Sequence, residues 1–335
     1  MGAPRSVRAD HSKVEGLLPS LHLNERAWAL ADDAVARAAI LRLGIQTLPC
    51  GARVIDAGVN EPGGLAAGLL LAELCMGGIG HVALTPLTIA GESWPGAQVW
   101  TDHPAQCCMA SQYAGWAITA DGYFAMGSGP LRAQARVEKE LFEKLGYEEH
   151  VARGVLVLET RTLPTDAVAQ WVSAKSGVAT DGLTFAVAPT ASLAGGVQVV
   201  ARVVETGLHK METLGFDVHR VISAMGTAPL PTPATNDLRA IGRTNDCVLY
   251  GGQARFVVNA GDTELAELVE RMPASASSDY GTPFYDIFKR YHNDFYKIDP
   301  LLFSPGEIWL TSATSGRTFH AGALNPEVLK ASLFP

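Results

Sequence analysis

Arg202 and Glu205 are the residues whose types and spacing most suggest chemistry. They lie in residues 190–216, TASLAGGVQVVARVVETGLHKMETLGF. Three apart on a helix, they share one face. A carboxylate beside a guanidinium can stay ionised, take a proton and give it back. Spacing alone does not assign that role, because such a pair is commonly a solvated surface contact worth little. The surroundings add weight. Val197, Val200, Ala201, Val204, Leu208 and Met211 form an apolar stripe at three- and four-residue steps. Gln198, Arg202, Glu205, His209 and Glu212 form a polar stripe beside it. His209, one turn past Glu205, reads as a packed or exposed helix histidine before a second proton relay. Gly207 is the expected weak point of this helix.

The elements around the pair must position it. An apolar run at 183–188 reads as a buried strand, broken by Pro189 and Thr190. Thr190 or Ser192 can cap the following helix, and a strand-to-helix junction is also a natural anion site. Upstream, residues 24–43 read as a helix capped by Asn24 and stopped by Gly44. Strands are expected at 53–59, 81–87, 98–101 and 154–159, with a Gly-opened helix closed by Gly77 and Gly78. Downstream, a strand at 218–225 runs into GTAPLPTPATND, a loop irregular enough to cover a pocket. A short helix at 234–243 then precedes RTNDCVLYGG, read as a polar cluster leading into a strand. Helices and strands alternate, so the fold class is mixed α/β (α+β). We expect two α/β sub-domains, 1–180 and 181–335, with a cleft between them lined by Gly-rich turns.

Composition narrows the function. The 335 residues are 47% hydrophobic, as in folded globular chains. A net charge of -8 without a Lys/Arg cluster argues against a nucleic-acid surface. Five cysteines with no C-x-x-C pair suit reduced thiols, not a disulfide framework or a metal site. The first twenty residues lack an apolar signal core, and no run reaches the ~20 apolar residues of a membrane span. We therefore expect a cytoplasmic protein with no membrane or nucleic-acid partner. Neither a G-x-x-x-x-G-K-[ST] loop nor a clean G-x-G-x-x-G fingerprint is present, which disfavours a nucleotide enzyme.

Several polar groups are candidates for binding: Asp102; Ser111, Gln112 and Tyr113; Ser128 and Gly129; Thr190 and Ser192; and Thr244, Asn245 and Asp246. Each also has a plain structural explanation. Asp102 and His103 suit capping of a helix from Pro104, and the others suit turns, caps or core packing.

Seven segments in order resemble one family: VIDAGVNEPGGLAAG, ELCMGGIGHV, TDHPAQCCMASQYAGW, AMGSGPLRA, APTASLAGGVQVVARVVETGLHK, GFDVHRVISAMGTAPL and RTNDCVLYGG. Together they resemble methenyltetrahydromethanopterin cyclohydrolases, including bacterial members of formaldehyde oxidation in methylotrophs. The resemblance implies reversible hydrolysis of the N5,N10-methenyl bridge to N5-formyl-tetrahydromethanopterin. It implies a pterin in the cleft, no metal or permanently bound prosthetic group, and a homo-oligomer, with a trimer favoured. The family's catalytic Arg-x-x-Glu matches Arg202 and Glu205. On this reading the other polar groups meet the pterin edge or the coenzyme's phosphate. Two alternatives stand beside it: another pterin- or folate-dependent one-carbon enzyme that transfers formyl to an amine, and a non-catalytic pterin-binding protein.

Overall fold

The computed structural model describes residues 20–334. The N-terminal segment read as lacking a signal core lies outside the described residues, apart from Ser20. The chain builds two six-stranded sheets. Its strands are β1 (Gly44–Thr47), β2 (Arg53–Asp56), β3 (His81–Ile89), β4 (Glu92–Thr101), β5 (Trp116–Ala120), β6 (Tyr123–Ser128), β7 (Gly154–Glu159), β8 (Leu183–Ala188), β9 (Val221–Pro229), β10 (Gln253–Val258), β11 (Glu307–Ser312) and β12 (Thr318–Gly322). The first sheet has the order β1-β2-β8-β7-β6-β5, and the second β12-β11-β10-β9-β4-β3. The fold is mixed α/β, as the alternation predicts.

In the first sheet β8 pairs in parallel with both β2 and β7. Every residue of Leu183–Ala188 is buried, as a central parallel strand covered on both faces requires, and its one polar side chain, Thr184, accepts from Arg53 Nε at 3.0 Å. Helices cover both faces. Leu23–Ala36 and Leu65–Cys75 pack on one side, and Asp166–Ser176 packs on the other. Among the described residues the second sheet is covered on one face only, with Val203, Val204, Leu208 and Met211 of helix Val203–Thr213 in its core.

The sheets do not divide the chain at residue 180. β8 sits between β2 and β7, while β3 and β4 join the second sheet beside β9. Parallel pairing lets distant segments enter one sheet, and no composition shift marks where they do.

Three local expectations are corrected. Asn24 is not a cap: the helix begins at Leu23 after His22, which adopts a left-handed conformation. The buried Asn24 amide donates to Glu149 Oε2 at 2.7 Å and to the Pro130 carbonyl at 2.8 Å, tying the helix to the chain's middle. Thr244, Asn245 and Asp246 do not precede a strand; they lie inside helix Asp237–Leu249, capped by Asn236. The helix of residues 190–216 breaks at Ala201–Arg202, not at Gly207. Gly207 instead faces Phe256, where an added Cβ would come within 2.6 Å of the ring.

Candidate active site

The break at Ala201–Arg202 has a cause in a neighbouring element. Residues Ala105–Gln112 form a π-helix, closed by Tyr113 N–H donating to the Cys108 carbonyl at 2.8 Å. Such wide turns recur at functional sites. Its last side chain, Gln112, donates through Nε2 to the Ala201 carbonyl at 3.1 Å. In a continuous helix that carbonyl would accept from Glu205 N–H. A side chain inserted into the ladder is a recognised origin of kinks. Ser192 opens the first segment, its Oγ accepting from Gly195 N–H at 3.0 Å, and Arg202 opens the second.

Arg202 and Glu205 are both buried, Glu205 only 6% exposed. Arg202 Nη1 donates to the Gln112 carbonyl and Nη2 to Ser128 Oγ at 3.0 Å. Its Nη1 lies 4.0 Å from Glu205 Oε2, an ion pair without a tight hydrogen bond. Burial pushes the Glu205 carboxyl above its usual value, while Arg202, His209 and Arg132 pull it back down. A carboxylate so placed suits taking and returning a proton.

Sequence-predicted residues gather here. Ser111 Oγ donates to the Cys75 carbonyl at 2.6 Å. Gly129 N–H donates to the Ser111 carbonyl at 2.8 Å, from a backbone with φ +108° that disfavours a side chain. Tyr113 stacks on His209 with ring centroids 5.1 Å apart. Gln112 Oε1 is buried without a hydrogen-bond partner, an acceptor left in the wall beside Arg202.

Three residues were not singled out for this site. Arg132, fully buried, donates through Nη1 to the Met109 and Ser111 carbonyls at 3.1 and 3.2 Å and through Nε to Glu138 at 2.8 Å. It lies over the Tyr113 ring at 5.2 Å. Cys75 Sγ is 3.2 Å from both Ser128 Oγ and Gln198 Nε2. Gln198 stood on the polar stripe beside Arg202, which was the available signal; nothing local marks Arg132 or Cys75.

Other candidates lie elsewhere. Thr190, Ser192 and Thr244 line a separate small cavity of about 30 Å³, with Leu65, Leu230 and Pro231. The Pro/Thr-rich loop therefore does line a pocket. This cavity sits at the N-terminal end of helix Leu193–Val200, and Arg202 follows its C-terminal end. The two are about 12 Å apart along the axis. Thr190 Oγ1 donates to Glu159, and Ser192 Oγ donates to the Pro189 carbonyl at 2.8 Å. Asp102 is exposed and accepts from Ser223 Oγ at 2.7 Å, so it is neither a helix cap nor a partner of Arg202. Asn245 donates to the Ile241 carbonyl at 2.8 Å within its own helix. Asp246 Oδ1 accepts from Phe284 N–H at 2.8 Å, a packing role. Among the described residues no cluster of three or more His, Cys, Asp or Glu could hold a metal, and no helix is long and apolar enough to cross a membrane.

Comparison with known proteins follows the same line. A family model described as cyclohydrolase (MCH) matches residues 22–333. The methenyltetrahydromethanopterin cyclohydrolase of Methylobacillus flagellatus is 45% identical, covering 94% of this chain and 96% of the relative. That of Methylobacterium organophilum is 44% identical, over 92% of this chain and 97% of the relative. The archaeal protein of the same name from Methanococcoides burtonii is 39% identical, over 93% and 98%. With the family model and these relatives spanning nearly its whole length, the chain belongs to the methenyltetrahydromethanopterin cyclohydrolase family.

Proposed function

We propose that this chain hydrolyses the methenyl bridge of methenyltetrahydromethanopterin to the N5-formyl product, reversibly, with Glu205 carrying the proton and Arg202 orienting it. The reading is supported by the family membership and, within the structure, by one observation. Arg202 and Glu205 are buried together where Gln112 breaks their helix.

The substrate carbon lies between two nitrogens of an amidinium and is already electrophilic. Water attacks it, and Glu205 takes the water's proton. The resulting carbinolamine collapses as the N10–C bond breaks, with Glu205 returning that proton to N10. The carbinolamine hydroxyl loses its own proton as the formyl carbonyl forms, so one proton is released per turnover. An ionised Glu205 also stabilises the bound cation, more strongly in a dry site than in water. Two Arg202 nitrogens are pinned on protein acceptors, which suits orientation of Glu205 rather than direct contact with a cationic substrate.

The pterin substrate would occupy the space beside this pair, against Ser111, Gln112, Tyr113, Ser128 and Gly129. The cavity at Thr190, Ser192 and Thr244 would receive a more distant, anionic part of the coenzyme. No permanently bound prosthetic group is part of this reading, and the site of action is the cytoplasm.

Assembly into a homo-oligomer, a trimer, is part of the same proposal. Supporting it is the uncovered face of the second sheet, where His81, Trp100, Met225, Arg255, Trp309 and His320 stand in one register row across all six strands. Within this mixed row of aromatic, aliphatic and basic side chains, Trp100 is 39% and Met225 40% exposed, large apolar groups left in water. Six strands about 4.8 Å apart carry enough area to approach a specific interface.

The deciding experiment follows the near-ultraviolet absorbance of methenyltetrahydromethanopterin with purified protein. Decay that is lost in Glu205→Gln supports the reading. Decay only with the folate analogue moves the substrate, and formyl transfer to an added amine replaces hydrolysis. No decay with either leaves a binding protein.

A further inference from the structure

We infer that Cys75 is a positioning residue for Arg202, acting through the Ser128 hydroxyl. The inference rests on the reading of Arg202 and Glu205 as the reacting pair, and it adds a residue to that pair's support.

Cys75 is the last residue of helix Leu65–Cys75 and is fully buried. Three elements converge on it. Ser111, from the π-helix, donates to its carbonyl at 2.6 Å. Gln198, from the helix before Arg202, donates to its sulfur at 3.2 Å. Ser128, at the end of β6, meets the sulfur at 3.2 Å. Ser128 Oγ in turn accepts from Arg202 Nη2 at 3.0 Å. The thiol is therefore one hydroxyl removed from the guanidinium.

Donor counting fixes two of these bonds, and the third keeps the same consequence in either direction. An arginine only donates, so Ser128 Oγ must present a lone pair to it. The Gln198 amide nitrogen also only donates, so it occupies a sulfur lone pair and leaves the S–H free. Between Cys75 and Ser128, either that S–H donates to the second lone pair of Ser128 Oγ, or the Ser128 hydrogen donates to the other sulfur lone pair. In both arrangements the Ser128 hydrogen is held away from Arg202. Without the thiol the hydroxyl is free to rotate, and its hydrogen can swing toward Nη2, where two donors collide. Arg202 then loses one of its two side-chain anchors. Burial pushes the thiol's pKa up and so keeps it protonated, with no second charge beside Arg202. The close packing that brings Cys75 here also has a cause: Gly68, on the same helix, faces Val197 so tightly that an added Cβ would come within 2.6 Å.

The test compares Cys75→Ala, Cys75→Ser, Ser128→Ala and the double variant Cys75→Ala/Ser128→Ala in the full chain. Cys75→Ala is expected to lower kcat about fivefold to thirtyfold, as for one lost charge-linked hydrogen bond, with KM within about twofold. Cys75→Ser, which keeps donor and acceptor, should recover the greater part. The double variant should be no slower than Ser128→Ala alone, a non-additivity that loss of general packing would not give. A crystal structure of Cys75→Ala should show Arg202 Nη2 off Ser128. If that alanine variant does not fold, Cys75→Val fills the space without a donor and takes its place. Additive losses, or a variant with normal kcat and Arg202 in place, overturn the inference. If the unaltered protein does not hydrolyse the methenyl substrate, the proposed function falls separately. The position of Arg202 in the variant crystal then decides the inference alone.

Discussion

Gln112 Nε2 lies 3.1 Å from the Ala201 carbonyl oxygen, the acceptor that Glu205's own amide would use in an unbroken helix. The same residue's backbone carbonyl receives Arg202 Nη1. One glutamine thus sets both the break and the guanidinium. Gln112→Met keeps the volume and removes the amide. It should leave the Ala201 carbonyl without its partner, lower kcat about tenfold and cost on the order of 1–3 kcal/mol of stability. Absorbance kinetics and urea unfolding check the two parts; normal values for both would mean that the break is set elsewhere.

Glu205→Gln keeps shape and loses the base. Turnover should fall by about 10²–10⁴ while substrate affinity, read by fluorescence titration, changes far less. A rate within a few-fold of normal removes Glu205 as the proton carrier.

The pH dependence has a sign. Burial raises the Glu205 carboxyl, and Arg202 is the largest influence pulling it down. As a base it works ionised, so kcat should fall as pH drops through its pKa. Arg202→Gln takes away the opposing cation and should move that acid limb to higher pH, besides lowering the plateau. An acid limb that stays in place, or moves down, contradicts the assignment.

Asp246 offers a stability test away from the chemistry. Burial pushes its carboxyl up to about 7, against 3.8 in an unstructured chain. Its contribution is therefore fully present below pH 3.8 and is lost as pH rises through about 7, by on the order of 4 kcal/mol at most. Asp246→Asn can still accept from Phe284 N–H and has no charge to bury. Its melting temperature should exceed that of the unaltered protein at pH 8.5, with the gap about halved at pH 5.5 and closing only toward pH 3.8. A gap independent of pH counts against the buried-proton account.

The open row on the second sheet predicts assembly. Trp100→Glu with Met225→Asp should shift the protein toward smaller species in sedimentation velocity while leaving the monomer's circular dichroism unchanged. An unaltered sedimentation coefficient means that this face is not where copies meet.

What could be read from the sequence was what is local. The buried strand at 183–188 needed only its apolar run, and Ser192 needed only its place before a glycine-rich helix. Asn24 failed because its partners, Glu149 and Pro130, lie more than a hundred residues away. Thr244–Asp246 failed because polar residues before a Gly-Gly pair resemble a turn, while helix Asp237–Leu249 was fixed by its Asn236 cap and its packing. The Arg202–Glu205 pair was visible from spacing, but its burial was not. Burial depends on Arg132, Cys75 and the π-helix, brought in from other elements. Propensity alone marks Gly207 as a weak point of the helix, whereas a ring from β10 explains why glycine stands there.

The interleaved order of the first sheet bears on how the chain is made. β2 and β7 are each complete only when Leu183–Ala188 slides between them. Until that segment leaves the ribosome, the facing edges of β2 and β7 lack the strand that pairs with both. The strand that closes the sheet is followed directly by the segment bearing Arg202 and Glu205. Synthesis therefore delivers the reacting pair just after the first sheet becomes whole and before β9–β12 complete the second, and a chain cut at residue 180 should aggregate rather than yield a stable half.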